Sequence, residues 1–284
     1  MELLFCSDLH GNEAHYERLV ALAGKLRPQV LIFGGDMLPD DSALDPKTMG
    51  RGQPAFVRDR FRTHVSAMRE QSGCKHVLAI FGNHDWGSSV EATRELEADG
   101  LLRILEPERP CSIEGLNFLG YSCTPPTPWF VKEFERLDMP GDRPPLLGGA
   151  RWDARFGRPS THGAAFLFTS NKTIADEMAA LRPPADPWVF VAHSPPHASK
   201  LDRFYDDQAW GSKAIRAAIE KHQPLLSLHG HIHESPDVSG DFQDRLGRTV
   251  AVNPGQGRTK LQYATIKVDV SNQKVLEVTH GHTA

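Results

Sequence analysis

Five short apolar runs in this chain each end in a cluster of Asp, Asn or His residues, and those clusters restrict the fold more than any other feature. Glu2-Leu3-Leu4-Phe5-Cys6-Ser7 runs into Asp8-Leu9-His10-Gly11-Asn12. Val30 to Phe33 runs into Gly34-Gly35-Asp36, and His76 to Phe81 into Gly82-Asn83-His84-Asp85. Trp188 to Ala192 leads to His193-Ser194-Pro195-Pro196, and Leu225 to Leu228 to His229-Gly230-His231-Ile232-His233. Open α/β sheets bind ligands at the carboxyl ends of their strands. Packing alone gives no reason for five strand ends to deliver such side chains to one edge.

Amphipathic segments separate the runs. Glu13 to Leu26 places Leu19, Leu22, Ala23 and Leu26 on one helical face. Ala55 to Glu70 does the same with Val57, Phe61, Val65 and Met68, and Ser89 to Asp99 also reads as a helix. Leu101 to Leu105 and Asn117 to Tyr121 read as strands. Residues 121–165 break the rhythm: they are rich in Pro, Gly, Arg and aromatics, and read as one long ordered loop whose Trp129, Trp152 and Phe156 should be packed away near the site mouth. A helix capped by Ser170 follows and ends before Pro183-Pro184; another, capped by Ser212, runs to His222. Thr249 to Val252, Tyr263 to Val270 and Lys274 to Val278 follow without helices between them and are expected to pair antiparallel. The expectation is one α/β domain spanning 1–284, with an insertion at about 121–165.

The chain is long enough for a full core at 284 residues. Its net charge of -4 argues against an extended nucleic-acid track but not against a phosphate held locally by metal. No apolar run is long enough to span a bilayer, and the first residues read as a strand with no leader before it, so the expected location is cytoplasmic. The four cysteines, Cys6, Cys74, Cys111 and Cys123, form no C-x-x-C pair, which leaves no thiolate zinc knot. Cys6 reads as a small buried hydrophobe.

The clustered residues suit a pair of metal ions. Asp8 and His10, one residue apart, point the same way in an extended segment and can grip one ion together. Asp36 has two oxygens and can bridge two ions; Asn83 offers a neutral carbonyl; His193, His231 and His233 supply imidazoles. A set of O and N donors without thiolate suits Mn, Fe, Zn, Co or Ni. Two such ions, roughly 3.5–4 Å apart, lower the pKa of a shared water and clamp a phosphate. Glycines 34, 35, 82 and 230 let the backbone turn close to them.

Taken in order, D-x-H, G-G-D, G-N-H-D, H-x-P-P and G-H-x-H resemble the motifs of the calcineurin-like binuclear metallophosphoesterase superfamily, from Asp8 to His233. The H-S-P-P and G-H-I-H-E-S forms are most similar to small stand-alone members related to class III cyclic-nucleotide phosphodiesterases. The resemblance implies a β-sandwich flanked by helices, a four-layer αββα fold. It implies that Asp8, His10 and His233 hold the first metal, that Asn83, His193 and His231 hold the second, and that Asp36 bridges them. It makes His84 the histidine that contacts the phosphate and protonates the leaving oxygen. The implied cofactor is two divalent transition-metal ions, Mn first, and the implied partner a small phosphate ester, with homo-oligomerisation left open. No ligand is missing. The departure is the 121–165 segment, for which the motifs give no template.

Plainer roles compete at several positions. Asp8-x-His10 alone reads more readily as a capped loop before a helix, with Asn12 as the cap, than as a metal site; the ordered set of motifs reverses that. Asp85 either orients a histidine or caps the next segment. His229 fits internal packing, His197 a surface loop, and Asn253-Pro254-Gly255 a structural turn. Arg58, Arg60, Arg62 and Arg69 fit a solvated helix face. Arg143, Arg151, Arg155 and Arg158 are better placed to reach a substrate's remote part. The leading function is phosphodiester hydrolysis by a metal-activated water. Its rivals are a catalytically silent scaffold, a nuclease, and a phosphomonoesterase or protein phosphatase.

Overall fold

The computed structural model describes residues 1–40, 48–169, 172–205 and 208–283. In chain order the strands are β1 (Glu2–Cys6), β2 (Val30–Phe33), β3 (His76–Ala79), β4 (Arg103–Ile104), β5 (Cys111–Ile113), β6 (Leu116–Tyr121), β7 (Gly149–Asp153), β8 (Arg158–His162), β9 (Trp188–Ala192), β10 (Leu226–Leu228), β11 (Gln243–Leu246), β12 (Thr249–Val252), β13 (Leu261–Asp269) and β14 (Lys274–Thr283). They form two six-stranded sheets, ordered β14-β13-β1-β2-β3-β4 and β11-β12-β10-β9-β6-β5, and a separate β7-β8 hairpin. Each large sheet has four parallel strands and antiparallel partners at its margins.

Side-chain alternation along the central strands explains the layering. In β1, Leu4 and Cys6 join a core with Leu19, Val65 and Met68 of the helices, whereas Leu3 and Phe5 join a core with Val189, Val191 and Leu228 of the other sheet. Leu31 and Phe33 of β2 face the helices, and Val30 and Ile32 face the sheet. A strand buried on both faces reads as a continuous apolar run, which is why these segments stand out in the sequence. On the far side of the second sheet, Trp188, Phe190 and Ala192 pack with Ile215 and Ile219 of a helix at Lys213–His222. The result is helices, sheet, sheet, helices: the αββα sandwich expected above.

The helices follow local rules. The Glu13–Leu26 helix starts where the Asn12 side chain accepts the His15 N–H at 3.2 Å. The Lys213–His222 helix starts where Ser212 does the same for Ile215 at 3.0 Å. The helix over Ala55 to Glu70 extends from Gly52 to Ser72, through a π-helical turn at Val57–Phe61. Its expected face, Val57, Phe61, Val65 and Met68, is fully buried. Burial of each such side chain contributes about 1.5–3 kcal/mol.

Three expectations need correction. Strand β12 does not join the last two strands. It lies parallel to β10 and antiparallel to β11 in the second sheet, while β13 and β14 pair antiparallel in the first. The β11 strand, Gln-Asp-Arg-Leu, carries too few apolar residues to be seen beforehand. The 121–165 segment is not one loop: it contains the β7-β8 hairpin and enters a short helix at Ala164–Thr169. Phe156 at the hairpin tip is 61% exposed, not packed away, with the Arg155 and Arg158 guanidinium groups 5.3 and 5.6 Å from its ring centre. Finally, Ser170 lies outside the described residues. The helix at Ile174–Ala180 is capped by Thr173, which forms a reciprocal capping box with Asp176. No helix among the described residues is long and apolar enough to cross a membrane.

Candidate metal centre

The carboxyl ends of β1, β2, β3, β9 and β10 meet where the two sheets come together. Donor atoms of Asp8, His10, Asp36 and His233 all lie within 4.8 Å of one another, and so do those of Asp36, His193 and His231. Asp36 belongs to both groups. His233 Nε2 is 3.3 Å from Asp8 Oδ1, and His193 Nε2 is 3.2 Å from Asp36 Oδ2. His10 Nε2 is 3.9 Å from Asp36 Oδ2 and 3.2 Å from His233 Nε2. Donors that share one ion at about 2.0–2.2 Å are spaced in this way.

Reaching this geometry strains the backbone. Asp8, His10, Asp36 and His231 have φ of 60°, 44°, 48° and 69°, the left-handed region that L side chains avoid. Each costs on the order of 1–3 kcal/mol, and such strain collects at functional sites. The glycines make room for the side chains. A Cβ at Gly82 would run into Asp36 Oδ1 and His193 Nε2, and one at Gly230 into Ser7 Oγ and Asp8 Oδ2.

Hydrogen bonds fix the orientation of each group. The Asp8 carboxylate accepts the His231 N–H at 3.0 and 3.1 Å. Asp36 Oδ1 accepts the His84 N–H at 2.8 Å. His193 Nδ1 donates to the Gly34 carbonyl at 2.7 Å, which leaves the Nε2 lone pair facing the carboxylates. Among the described residues, neither that Nε2 nor Asn83 Oδ1, both buried, has a hydrogen-bond partner. Buried polar atoms are costly when unsatisfied, and here both belong to groups able to bind a cation. The donor set and these two orphaned atoms fit a pair of divalent ions.

Charge leads to the same reading. Burial raises the Asp8 carboxyl, but His233 and His193 outweigh it and bring it down to about 2. Burial also opposes ionisation of Asp36, yet His193 and His84 hold its carboxyl well below the usual carboxylate range. Burial works against the charged forms of His10 and His193, but the carboxylates raise both to about 9, chiefly Asp40 and Asp36 for His10 and Asp36 for His193. Burial beside His193 lowers His231 to about 3, so its imidazole is neutral with a free lone pair. The pocket is negative enough to draw protons onto buried imidazoles, a charge that metal cations replace directly.

His84 sits at the open edge, with its side chain 20% exposed. Its Nδ1 is 2.8 Å from Asp40 Oδ1, and the same oxygen is 3.2 Å from His10 Nδ1. Sequence reasoning does not single out Asp40. The available signal is a second carboxylate four residues beyond Asp36, across Pro39.

The plainer candidates resolve as braces. Among the described residues Asp85 hydrogen-bonds no histidine and caps no helix: it accepts the Leu38 N–H at 3.1 Å and the Gly82 N–H at 2.9 Å, tying two site loops together. Burial and the nearby Asp36 push its carboxyl up to about 7. His229 is fully buried, donates from Nδ1 to the Ala192 and Ser194 carbonyls, and accepts the Ser227 hydroxyl at Nε2. Asn253 donates to the carbonyls of Leu201, Gly230 and Ile232, gripping the loop that carries His231 and His233. Arg58, Arg60 and Arg62 pair with Glu95, Glu13 and Asp99 on the surface.

Comparison with known proteins agrees. The sequence model of the calcineurin-like phosphoesterases matches residues 1–235. The chain belongs to this family, enzymes that hydrolyse phosphate esters at paired divalent metals. A protein of Thermus thermophilus has a similar fold, with a TM-score of 0.57 at 15% identity over 99% of this chain and 97% of that one. A dimetal phosphatase from Danio rerio gives 0.51 at 14% identity, over 94% and 92% of the two chains. A UPF0046 protein of Caenorhabditis elegans is 33% identical over 73 residues, 26% of this chain and 23% of the relative's length.

Proposed function

We propose that residues 1–284 form one catalytic unit that hydrolyses a phosphodiester bond in a small or nucleotide-like substrate. Asp8, His10 and His233 would hold one ion, Asn83, His193 and His231 the other, and Asp36 both. The observation that carries this reading is the membership of Asp36 in two donor groups beside the unsatisfied Asn83 and His193 atoms. When bound, the ions supply Lewis acidity and a water of lowered pKa.

The chain's own groups do the rest. Asp40 fixes His84 by its Nδ1 and leaves Nε2 to deliver a proton to the departing oxygen. His10, His84 and His233 line the open side. The alkoxide leaving group of an alkyl ester needs the proton that His84 is placed to give. The similarity of H-S-P-P and G-H-I-H-E-S to the cyclic-nucleotide phosphodiesterases favours a diester.

The test is parallel assay of Mn-loaded protein on a bis-aryl phosphate, an aryl monophosphate and cyclic nucleotides. Faster turnover of diesters is expected. A preference for the monoester would make the chain a phosphomonoesterase, and no turnover with both ions bound would favour a silent scaffold.

A further inference from the structure

We propose that Trp129 is a positioning residue for His84, and that the 121–165 insertion acts on the reaction through this contact. The inference rests on the catalytic reading of His84. The indole of Trp129 stacks on the His84 imidazole with ring centres 4.2 Å apart and planes 11° from parallel. His10 meets the same ring edge-on at 4.8 Å, and Asp40 holds its Nδ1. One face and one nitrogen of His84 are therefore held, and no hydrogen bond to its Nε2 is found among the described residues.

The insertion is built to keep the indole there. Trp129 donates its backbone N–H to Thr127 Oγ1 at 3.1 Å. Thr127 donates its hydroxyl and N–H to Glu135 at 2.6 and 3.2 Å. Lys132 closes the turn, donating to Glu135 Oε2 at 2.8 Å and to the Thr127 carbonyl at 2.7 Å. Lys132 and Glu135 are 1% and 0% exposed. A buried ion pair is a poor source of net stability, and its best-attested use is to hold one arrangement against others. Prolines 125, 126 and 128 stiffen the approach. A second stack, Phe134 on Phe81 at 5.1 Å and 7°, pins the other end of the turn. The two stacks clasp Phe81 and His84, the residues on either side of Gly82-Asn83.

A misplacement of about 1 Å in a reacting group costs on the order of 10²-fold. Trp129→Ala should therefore lower kcat on an alkyl phosphodiester by about 10- to 100-fold, with KM and metal content unchanged. The loss should shrink on a nitrophenyl diester, whose leaving group needs no proton. Trp129→Phe, which keeps a flat ring, should recover most of kcat, and adding Trp129→Ala to His84→Ala should cost nothing more. In the Zn-loaded protein, the His84 ring C–H signals, shifted upfield by the indole, should move downfield in Trp129→Ala. The proposal is overturned if Trp129→Ala slows the His84→Ala enzyme further, if both substrates lose equally, or if the ring signals stay in place. A wild-type chain without turnover on any ester, but with displaced ring signals in Trp129→Ala, upholds the stack and sinks the phosphoesterase reading alone.

Discussion

The His84 N–H donates to Oδ1 of Asp36 at 2.8 Å, so the loops after β2 and β3 are joined through the one carboxylate common to both donor groups. The other oxygen, Oδ2, faces His193 and His10. An amide in its place keeps the size but turns either a neutral oxygen or an N–H toward the cations. Asp36→Asn is expected to lose both ions, and Asn83→Ala mainly one. Metal analysis after gel filtration decides this, and retention of two ions by Asp36→Asn would remove Asp36 from the bridge.

Metal binding should also be visible in stability. Four left-handed residues and closely packed carboxylates are held in the folded state alone. A ligand bound only by that state at 100 times its Kd stabilises it by about 2.7 kcal/mol. Chelation is expected to lower the unfolding temperature and abolish turnover together, and Mn or Zn should restore both. Undiminished turnover with an empty site, shown by metal analysis, would defeat this.

Much of the site can be read from the sequence because each predicted donor follows a strand buried on both faces, and both signals are local. Asp8, Asp36, Asn83 and His193 end such runs. Asp40 and Trp129 escape notice as His84 contacts because those contacts are made across 44 and 45 residues of chain, which no local pattern encodes. The β7-β8 hairpin escapes for a related reason. Its strands, Gly-Ala-Arg-Trp-Asp and Arg-Pro-Ser-Thr-His, lack apolar alternation because they lie beside the sandwich and not within it.

Removing His84 should separate catalysis from metal binding. Its imidazole contacts Asp40 and Trp129, and its amide, present in any residue, contacts Asp36. His84→Ala is expected to keep both ions and to lose about 10²–10⁴-fold in turnover, most severely with alkyl esters. Asp40→Asn should give a smaller loss in the same direction, since the ring keeps its stack. Normal turnover of an alkyl ester by His84→Ala would refute the role, and loss of an ion would make His84 a ligand.

The Lys132–Glu135 pair predicts a pH-dependent stability. Burial raises the Glu135 carboxyl from 4.5 to about 7, against the pull of Lys132 and Thr127. A carboxyl that binds its proton more tightly when folded contributes stability that is complete below about 4.5 and lost as pH rises through about 7. Lys132→Met removes the opposing charge and moves the carboxyl higher still. At pH 8 the variant must bury an unpaired carboxylate or take up a proton from dilute solution, and breaking such a pair costs about 3–5 kcal/mol. At pH 5 Glu135 is already protonated in the fold, so the deficit relative to wild type should shrink. Lys132→Met combined with Glu135→Gln leaves no charge to strand and should recover most of the pH 8 deficit. Urea unfolding of the three metal-free proteins at both pH values measures this. A deficit equal at pH 5 and pH 8 would mean that Lys132 stabilises the turn through its packing and not through its charge.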